Sequence, residues 1–292
     1  VRIDLHTHSR VSDGTDSPAE LVAAAAAAGL DVVALTDHDT AAGWAEALAA
    51  GEEHGVTVVP GMEISTRYDG HAVHLLAYLP DPSYPPLVAE LDRVLSGRVG
   101  RLPAMVERLQ GLGIAITEQD VLARSADAAA TGRPHVADAL VALGVVDSRD
   151  EAFDRYLAAG RPGFVDRYAA PLVPMIGLVA AAGGVTVIAH PWGRIGREQP
   201  SAEALAELAA AGLSGIEVDH QDHAPAVRER LRGIARDLDL VATGSSDYHG
   251  TGKTGHPLGV NTTAPSELER LLSRAAAAAA ASGRRTPSVV LP

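Results

Sequence analysis

Histidines and carboxylates recur along this chain at short, fixed spacings: His6-Thr7-His8 followed by Asp13, Thr36-Asp37-His38-Asp39, Gly61-Met62-Glu63, His190-Pro191, Asp219-His220 and Asp247-Tyr248-His249. Imidazole nitrogens and carboxylate oxygens ligate divalent cations, and with no cysteine in the chain the metals to expect are zinc, manganese or iron. His6 and His8 stand two residues apart, so on an extended strand both rings leave the same face and can grip one ion. Asp247 and His249 repeat that spacing. More ligands are present than one ion needs, which predicts more than one ion. His71 and His74 are three apart, so on a strand only one of them can join the others. Singly, each cluster has a plain alternative: His38 between two aspartates reads as helix capping, Glu63 as a surface carboxylate, and His190 as a core histidine. Their joint placement along the chain decides against those alternatives.

That placement depends on the elements between the clusters. Short β-branched apolar runs alternate with alanine- and leucine-rich stretches of helical spacing that end in glycine. The strands expected are Arg2–Leu5, Asp31–Leu35, Thr57–Val59, Ala72–Tyr78, Val185–Ala189, Gly215–Val218 and Leu240–Thr243. Helices between them include Pro18–Ala28, Ala41–His54, Pro171–Ala182, Ala202–Ala211 and Ala224–Asp237. Alternation of this kind predicts parallel strands with crossover helices, hence an α/β barrel or a doubly wound sheet. The carboxyl ends of parallel strands share one face, where the active sites of such folds lie. Most strands here run into a polar cluster, so the clusters converge on one mouth.

From Leu79 to about Ala170 the rhythm stops. Helical patterns at Leu87–Leu112, Arg133–Leu143 and Arg149–Ala158 mark an inserted helical lid, residues 81–170, within a barrel formed by residues 1–80 and 171–292. Nine arginines and ten acidic residues between Ser96 and Val173 leave the insertion nearly neutral, while the rest of the chain is strongly acidic. The insertion is therefore the less repulsive surface for an anion. The alanine tract Ala275–Ala281 extends a terminal helix. Ser288-Val289-Val290-Leu291 reads as a frayed end or a short closing strand.

At 292 residues, with 47% hydrophobic and 21% charged residues, the chain can bury a sizeable core. The absence of cysteine excludes disulfides, thiolate nucleophiles and cysteine-ligated metal sites. A formal charge of −13 argues against loose binding of long nucleic acid. No apolar run is long enough for a membrane span and Val1 to Leu5 already reads as strand, so the expectation is a soluble, cytoplasmic protein. Lys253, the only lysine, reads as a bias of composition rather than of function.

The strings Ile3-Asp4-Leu5-His6-Thr7-His8-Ser9 with Asp13-Gly14, Leu35-Thr36-Asp37-His38-Asp39, Gly61-Met62-Glu63, Ala189-His190-Pro191 and Gly244-Ser245-Ser246-Asp247-Tyr248-His249-Gly250 resemble the PHP (polymerase and histidinol phosphatase) family. The resemblance runs over nearly the whole chain, with the motifs in the family's order. Thr131-Gly132-Arg133-Pro134-His135-Val136-Ala137 and Glu151-Ala152-Phe153-Asp154-Arg155-Tyr156-Leu157 resemble, more narrowly, the branch of stand-alone phosphoesterases that act on nucleoside 3′,5′-bisphosphates and as 5′-to-3′ exonucleases on short RNA.

The resemblance implies a distorted seven-stranded (β/α) barrel of PHP type holding three divalent ions, commonly manganese, iron or zinc. Their ligands would be His6, His8, Asp13, His38, Glu63, His74, His190, Asp247 and His249, with Glu63 bridging. The sequence departs from the branch at Val218-Asp219-His220-Gln221-Asp222-His223, which puts two extra carboxylates near the mouth. In this reading the metals attract a phosphomonoester and make hydroxide for in-line attack on phosphorus. Arg133, starting a helix at Arg133-Pro134-His135, would bind the phosphate, with Arg161 as a second phosphate-binding candidate. His135 or His220 would contact the substrate and protonate the leaving oxygen.

The function expected is a metal-dependent phosphoesterase acting on nucleoside 3′,5′-bisphosphates or on short 5′-phosphorylated RNA or DNA oligonucleotides, with no protein or membrane partner. Histidinol-phosphate phosphatase is the nearest alternative, and a non-catalytic metal-stabilised interaction domain is the alternative of another class.

Overall fold

The computed structural model describes residues 1–125, 128–193 and 200–289. Its strands are β1 (Ile3–Asp4), β2 (Val32–Leu35), β3 (Thr57–Tyr68), β4 (His71–Tyr78), β5 (Ala170–Pro171), β6 (Val185–Ile188), β7 (Gly215–Asp219) and β8 (Val241–Gly244). Around the sheet they run β1, β2, β3, β4, β6, β7, β8, with β5 paired to the end of β3. The segments after β1 and β8 meet: the Asp247 N–H donates to the His6 carbonyl at 3.0 Å, and the His8 N–H to the Tyr248 carbonyl at 2.8 Å. Seven strands thereby come close to closing a barrel.

Strand alternation builds two apolar layers. Val32 and Ala34 face inward with Ile3, Leu5, Val59, Leu76 and Tyr78, whereas Val33 and Leu35 of the same strand pack outward against helices. The outer helices are α1 (Pro18–Ala27) and α2 (Trp44–His54), then, beyond the insertion, α8 (Leu172–Ala181), α9 (Ala202–Ala210) and α10 (Pro225–Asp237). α1 starts where Ser17 and Glu20 cap each other's backbone N–H groups and Pro18 takes the first turn. The last helix, α11 (Pro265–Ser282), places Leu268, Leu271 and Ala275 on the inward cluster.

The strands are not all parallel. Asp69 and Gly70, with φ of 45° and 75°, make a tight hairpin, so β4 runs antiparallel to both β3 and β6. For the same reason β3 is much longer than the Thr57–Val59 expected from the apolar run: its second half pairs with β4 from Gly61↔Tyr78 to Tyr68↔His71. The rule that functional groups follow carboxyl ends therefore fails at two places. Glu63 lies mid-strand in β3, and His74 lies toward the amino end of β4.

Between β4 and β5 lie α3 (Pro85–Gly100), α4 (Leu102–Gly111), α5 (Glu118–Leu122), α6 (Arg133–Ala142) and α7 (Arg149–Ala152), the last running into one π-helical turn, Phe153–Leu157. The single helix expected over Leu87–Leu112 is two helices. Pro103 has no N–H to give the carbonyl four residues back, so the chain restarts around Arg101 with proline in the new first turn. Leu87, Leu91 and Val94 of α3 join the barrel's outer layer, while Leu102 through Leu157 supply a separate apolar cluster. Ser288 and Val289 belong to no strand, and Val290 and Leu291 lie outside the described residues. Among the described residues no helix is long and apolar enough to cross a membrane.

Candidate metal centre

Glu63 is the hub on which the strands converge. Its Oε2 lies 3.4 Å from His6 Nε2, 3.2 Å from His8 Nε2 and 3.2 Å from His38 Nδ1; its Oε1 lies 2.8 Å from His74 Nδ1 and 3.2 Å from His190 Nε2. Asp247 Oδ1 stands 3.5 Å from ring nitrogens of His6, His8 and His249. Asp13 reaches His38 Nε2 at 3.5 Å and His249 Nε2 at 3.3 Å. All nine residues expected as ligands from the motifs are thus in one cluster. Its donors fall into compact sets of three: His6, His8 and Asp247; His8, His38 and Glu63; His8, Asp13 and His249; Glu63, His74 and His190.

Five of the nine are buried and four half-buried, and burial opposes charge on the groups it encloses. It pulls His38 down to about 3. Burial also pushes Glu63 upward, but His74, His38 and His6 reverse this and hold its carboxyl well below the usual range. Asp13 is held down against burial by His38 and His249, and Asp247 by Lys253, His6 and His249. Ionised carboxylates enclosed by imidazoles, with oxygen and nitrogen as the only donors, are a set suited to zinc, manganese or iron.

Left-handed backbone places several of these groups. Asp39, His190 and Asp247 have φ of 60°, 30° and 54°, so Asp247 and His249 meet through a turn and not, as their spacing suggested, along a strand. Each such residue costs about 1–3 kcal/mol unless its surroundings hold it. Around Asp39 the hold is specific: it accepts from the Ser65 N–H at 2.6 Å and from Arg98 Nε at 2.7 Å. Asp37 accepts from Ser9 and Ser12. These aspartates fix neighbouring loops, and neither caps a helix beside His38.

The residues expected to handle substrate are divided. Arg133 opens α6 and lines a cavity of about 300 Å³ with His74 and His190. His135 is buried, and its Nδ1 accepts the Gly132 N–H at 2.9 Å, leaving the ring proton to Nε2. His220 accepts the Asp222 N–H at Nδ1 and stands 3.3 Å from Asp247 Oδ2 through Nε2. Arg161 stands apart: it is exposed, bound to Asp154 at 2.8 Å, and lines neither this cavity nor the one among the metal-ligand candidates, because the turn after Leu157 directs it outward. His71 is exposed, so His74 is the one of the pair that joins the cluster. Of the two extra carboxylates, Asp219 is bound by Arg232 at 2.6 Å and Asp222 lines the cavity.

Sequence reasoning missed Glu217, Lys253 and His256. Glu217 is fully buried on β7, 3.3 Å from His6 Nδ1, and its other oxygen accepts the His190 N–H at 2.7 Å. An acidic residue inside the apolar run Gly-Ile-Glu-Val was the available signal. Lys253 contacts Asp247 Oδ2, so the only lysine is part of the centre. His256 forms a further donor set with His220 and Asp247. Glu217→Gln would unsettle the orientation of His6, a ligand's hydrogen-bond partner being worth ~10–100-fold in metal affinity or activity. A matching fall in bound metal, measured by elemental analysis on folded protein, is expected; unchanged metal content and rate would exclude that role.

A PHP domain profile matches residues 4–159. The chain is 36% identical to a 3′,5′-nucleoside bisphosphate phosphatase of Chromobacterium violaceum, over 88% of this chain and 90% of that one. It is 35% identical to a 5′-3′ exoribonuclease of Haemophilus influenzae, over 85% of this chain and 90% of that one. A solved structure from Bifidobacterium adolescentis, assigned as a metal-dependent phosphoesterase, superposes with a TM-score of 0.88 at 40% identity, covering 93% of this chain and 96% of that one.

Proposed function

The chain belongs to the PHP domain family, and from that premise we propose that it is a metal-dependent phosphatase of nucleoside 3′,5′-bisphosphates. The observation carrying this reading is the buried Glu63 among five imidazoles, beside a cavity into which Arg133 opens. His6, His8, Asp13, His38, Glu63, His74, His190, Asp247 and His249 would hold the divalent ions, three in this reading. Bound there, divalent cations offset phosphoryl charge and acidify water.

The chain's own groups do the rest. Arg133 presents a planar guanidinium suited to paired hydrogen bonds with phosphate oxygens, at the amino end of α6. Phe153 and Phe164, each ring 5.5 Å from its guanidinium carbon, keep that side chain aligned. His135, kept neutral by burial and by the Gly132 N–H on its Nδ1, offers Nε2–H as a hydrogen bond to a leaving oxygen, whose proton then comes from solvent. His220 already spends its Nε2 proton on Asp247 and serves to orient that carboxylate. In this reading the insertion, residues 81–170, is a lid on the barrel of residues 1–80 and 171–292, bringing Arg133 and Arg149 to the cavities beside the metal-ligand candidates.

A second substrate, a short 5′-phosphorylated oligonucleotide, is favoured by one feature. The cavity among the metal-ligand candidates shares Arg149, Asp150 and Gly252 with an open groove of about 560 Å³, and His74, His190 and Gly193 with the cavity at Arg133, so a strand has an exit on either side. The relatives' activities favour nucleotides over histidinol phosphate.

Phosphate release should be measured on a nucleoside 3′,5′-bisphosphate, a 5′-phosphorylated oligoribonucleotide and histidinol phosphate, with manganese, iron or zinc supplied separately. The bisphosphate is expected to give the highest kcat/KM, by roughly tenfold or more, as one extra charge-assisted contact allows. Faster hydrolysis of histidinol phosphate would overturn the assignment, and retained metal with no turnover on any phosphoester would make this an interaction domain.

A further inference from the structure

Beside the nine ligand candidates lies a further set of donors, His220, His256 and Asp247, all buried. The exposed Asp222 adds a second carboxylate, its Oδ1 3.7 Å from His256 Nε2. The two imidazoles play opposite parts. His220 Nδ1 accepts the Asp222 N–H at 3.1 Å, which leaves the ring proton on Nε2, 3.3 Å from Asp247 Oδ2. That ring donates, and cannot ligate a metal while the bond from the Asp222 backbone stands. His256 donates its Nδ1 proton to the Ser246 carbonyl at 2.7 Å, so its Nε2 carries a bare lone pair. Burial first, and then the charge of Lys253, hold this ring below its usual pKa.

A lone pair and two carboxylates thus converge on the single proton of His220, and a set of that composition calls for a cation. Lys253 supplies one, because its ammonium contacts Asp247 Oδ2. The two oxygens of Asp247 are thereby divided. Oδ1 stands 3.5 Å from ring nitrogens of His6, His8 and His249, whereas Oδ2 serves Lys253 and His220. An ammonium brings one charge and three donors, and it satisfies such acceptors without any ion being bound. We propose that the Lys253 ammonium is the resident cation of an additional site formed by Asp247, Asp222 and His256, and that it keeps a further divalent ion out of the centre. The excluded ligand is a divalent cation of the kind that imidazole and carboxylate donors bind. Lys253 is in this sense a positioning residue: it leaves Asp247 one oxygen to offer the metals and limits how many ions the centre takes. This rests on the metal-centre reading and deepens it.

Lys253→Met removes the charge and keeps an unbranched stem. Elemental analysis of the full-length protein, equilibrated with manganese or zinc and then desalted, counts ions per chain without reference to turnover. Lys253→Met is expected to hold one ion more per chain than the parent, and adding His256→Ala to it should return the count to the parent's. His256→Ala alone is expected to leave the count unchanged, since the ammonium and not a metal fills the set. An unchanged or lower count in Lys253→Met overturns the proposal. So does the loss of an ion in His256→Ala alone, which would mean that His256 already ligates a metal. If Lys253→Met does not fold, Lys253→Gln carries the same comparison. Should the parent bind no divalent ion, the metal-centre reading falls; uptake of an ion by the lysine variant alone would still support the role of Lys253, and uptake by neither would overturn it.

Discussion

Glu63→Gln is expected to lower kcat/KM on every phosphoester substrate by at least about 10³-fold, a loss set by removing charge from the point where, in the proposed function, the cations would meet. The substitution keeps size and shape and replaces one oxygen with an NH₂. That is enough, because both oxygens are in use: Oε2 faces His6, His8 and His38, and Oε1 faces His74 and His190. An amide cannot bridge two cations through two anionic oxygens, and its NH₂ would repel any ion beside it. Elemental analysis should therefore show fewer ions per chain, while circular dichroism stays that of the parent. Activity within about tenfold of the parent, with full metal content, would mean that Glu63 is not the bridge and that the cluster works some other way.

How much of this site was legible in the sequence follows from how each residue is positioned. His6, His8, His38 and His190 follow β1, β2 and β6 as the carboxyl-end rule for parallel strands demands, so strand pattern and motif spacing sufficed. Strand alternation separated His74 from His71 without choosing between them; the family resemblance pointed to His74, which does face Glu63, on a strand that runs the other way. The Asp69-Gly70 hairpin signal was present, but an apolar strand carries no mark of its direction. Glu217 and Arg98 were not legible as site residues because their partners lie on distant segments, whereas Lys253 stands six residues from Asp247 in a turn whose geometry its spacing does not reveal. Glu217 touches His6 across 211 positions and Arg98 touches Asp39 across 59, and no local spacing encodes such pairs. Arg161 fails for the opposite reason. Its Gly-Arg-Pro-Gly setting is a good local signal for a turn, and that turn faces solvent.

Chelation of the metals should cost stability as well as activity. Nine polar side chains, five buried and four half-buried, meet in this centre, and Glu63, Asp13 and Asp247 stay ionised against the pull of burial. Without cations the charge must be shared with imidazoles, and burial works against protonating them. A ligand present at 100 times its dissociation constant adds about 2.7 kcal/mol, and a chain of this size shifts by ~2–4 °C per kcal/mol, so losing more than one ion should lower Tm by roughly 10 °C. The sign of the pH effect follows from His6. Burial would lower its pKa, but Asp247, Glu63 and Glu217 raise it well above 6.5, so in the metal-free protein this ring keeps its proton at neutral pH. A metal must displace that proton, hence metal affinity falls as pH drops. In the metal-free fold the raised pKa itself contributes stability below the unfolded value of 6.5 and loses it as pH rises through the folded value. The gap in Tm between loaded and stripped protein should therefore widen from pH 6 to pH 8. Scanning calorimetry of both forms across that range measures it, and a gap that is absent, or that narrows as pH rises, would show that these imidazoles do not ligate metal.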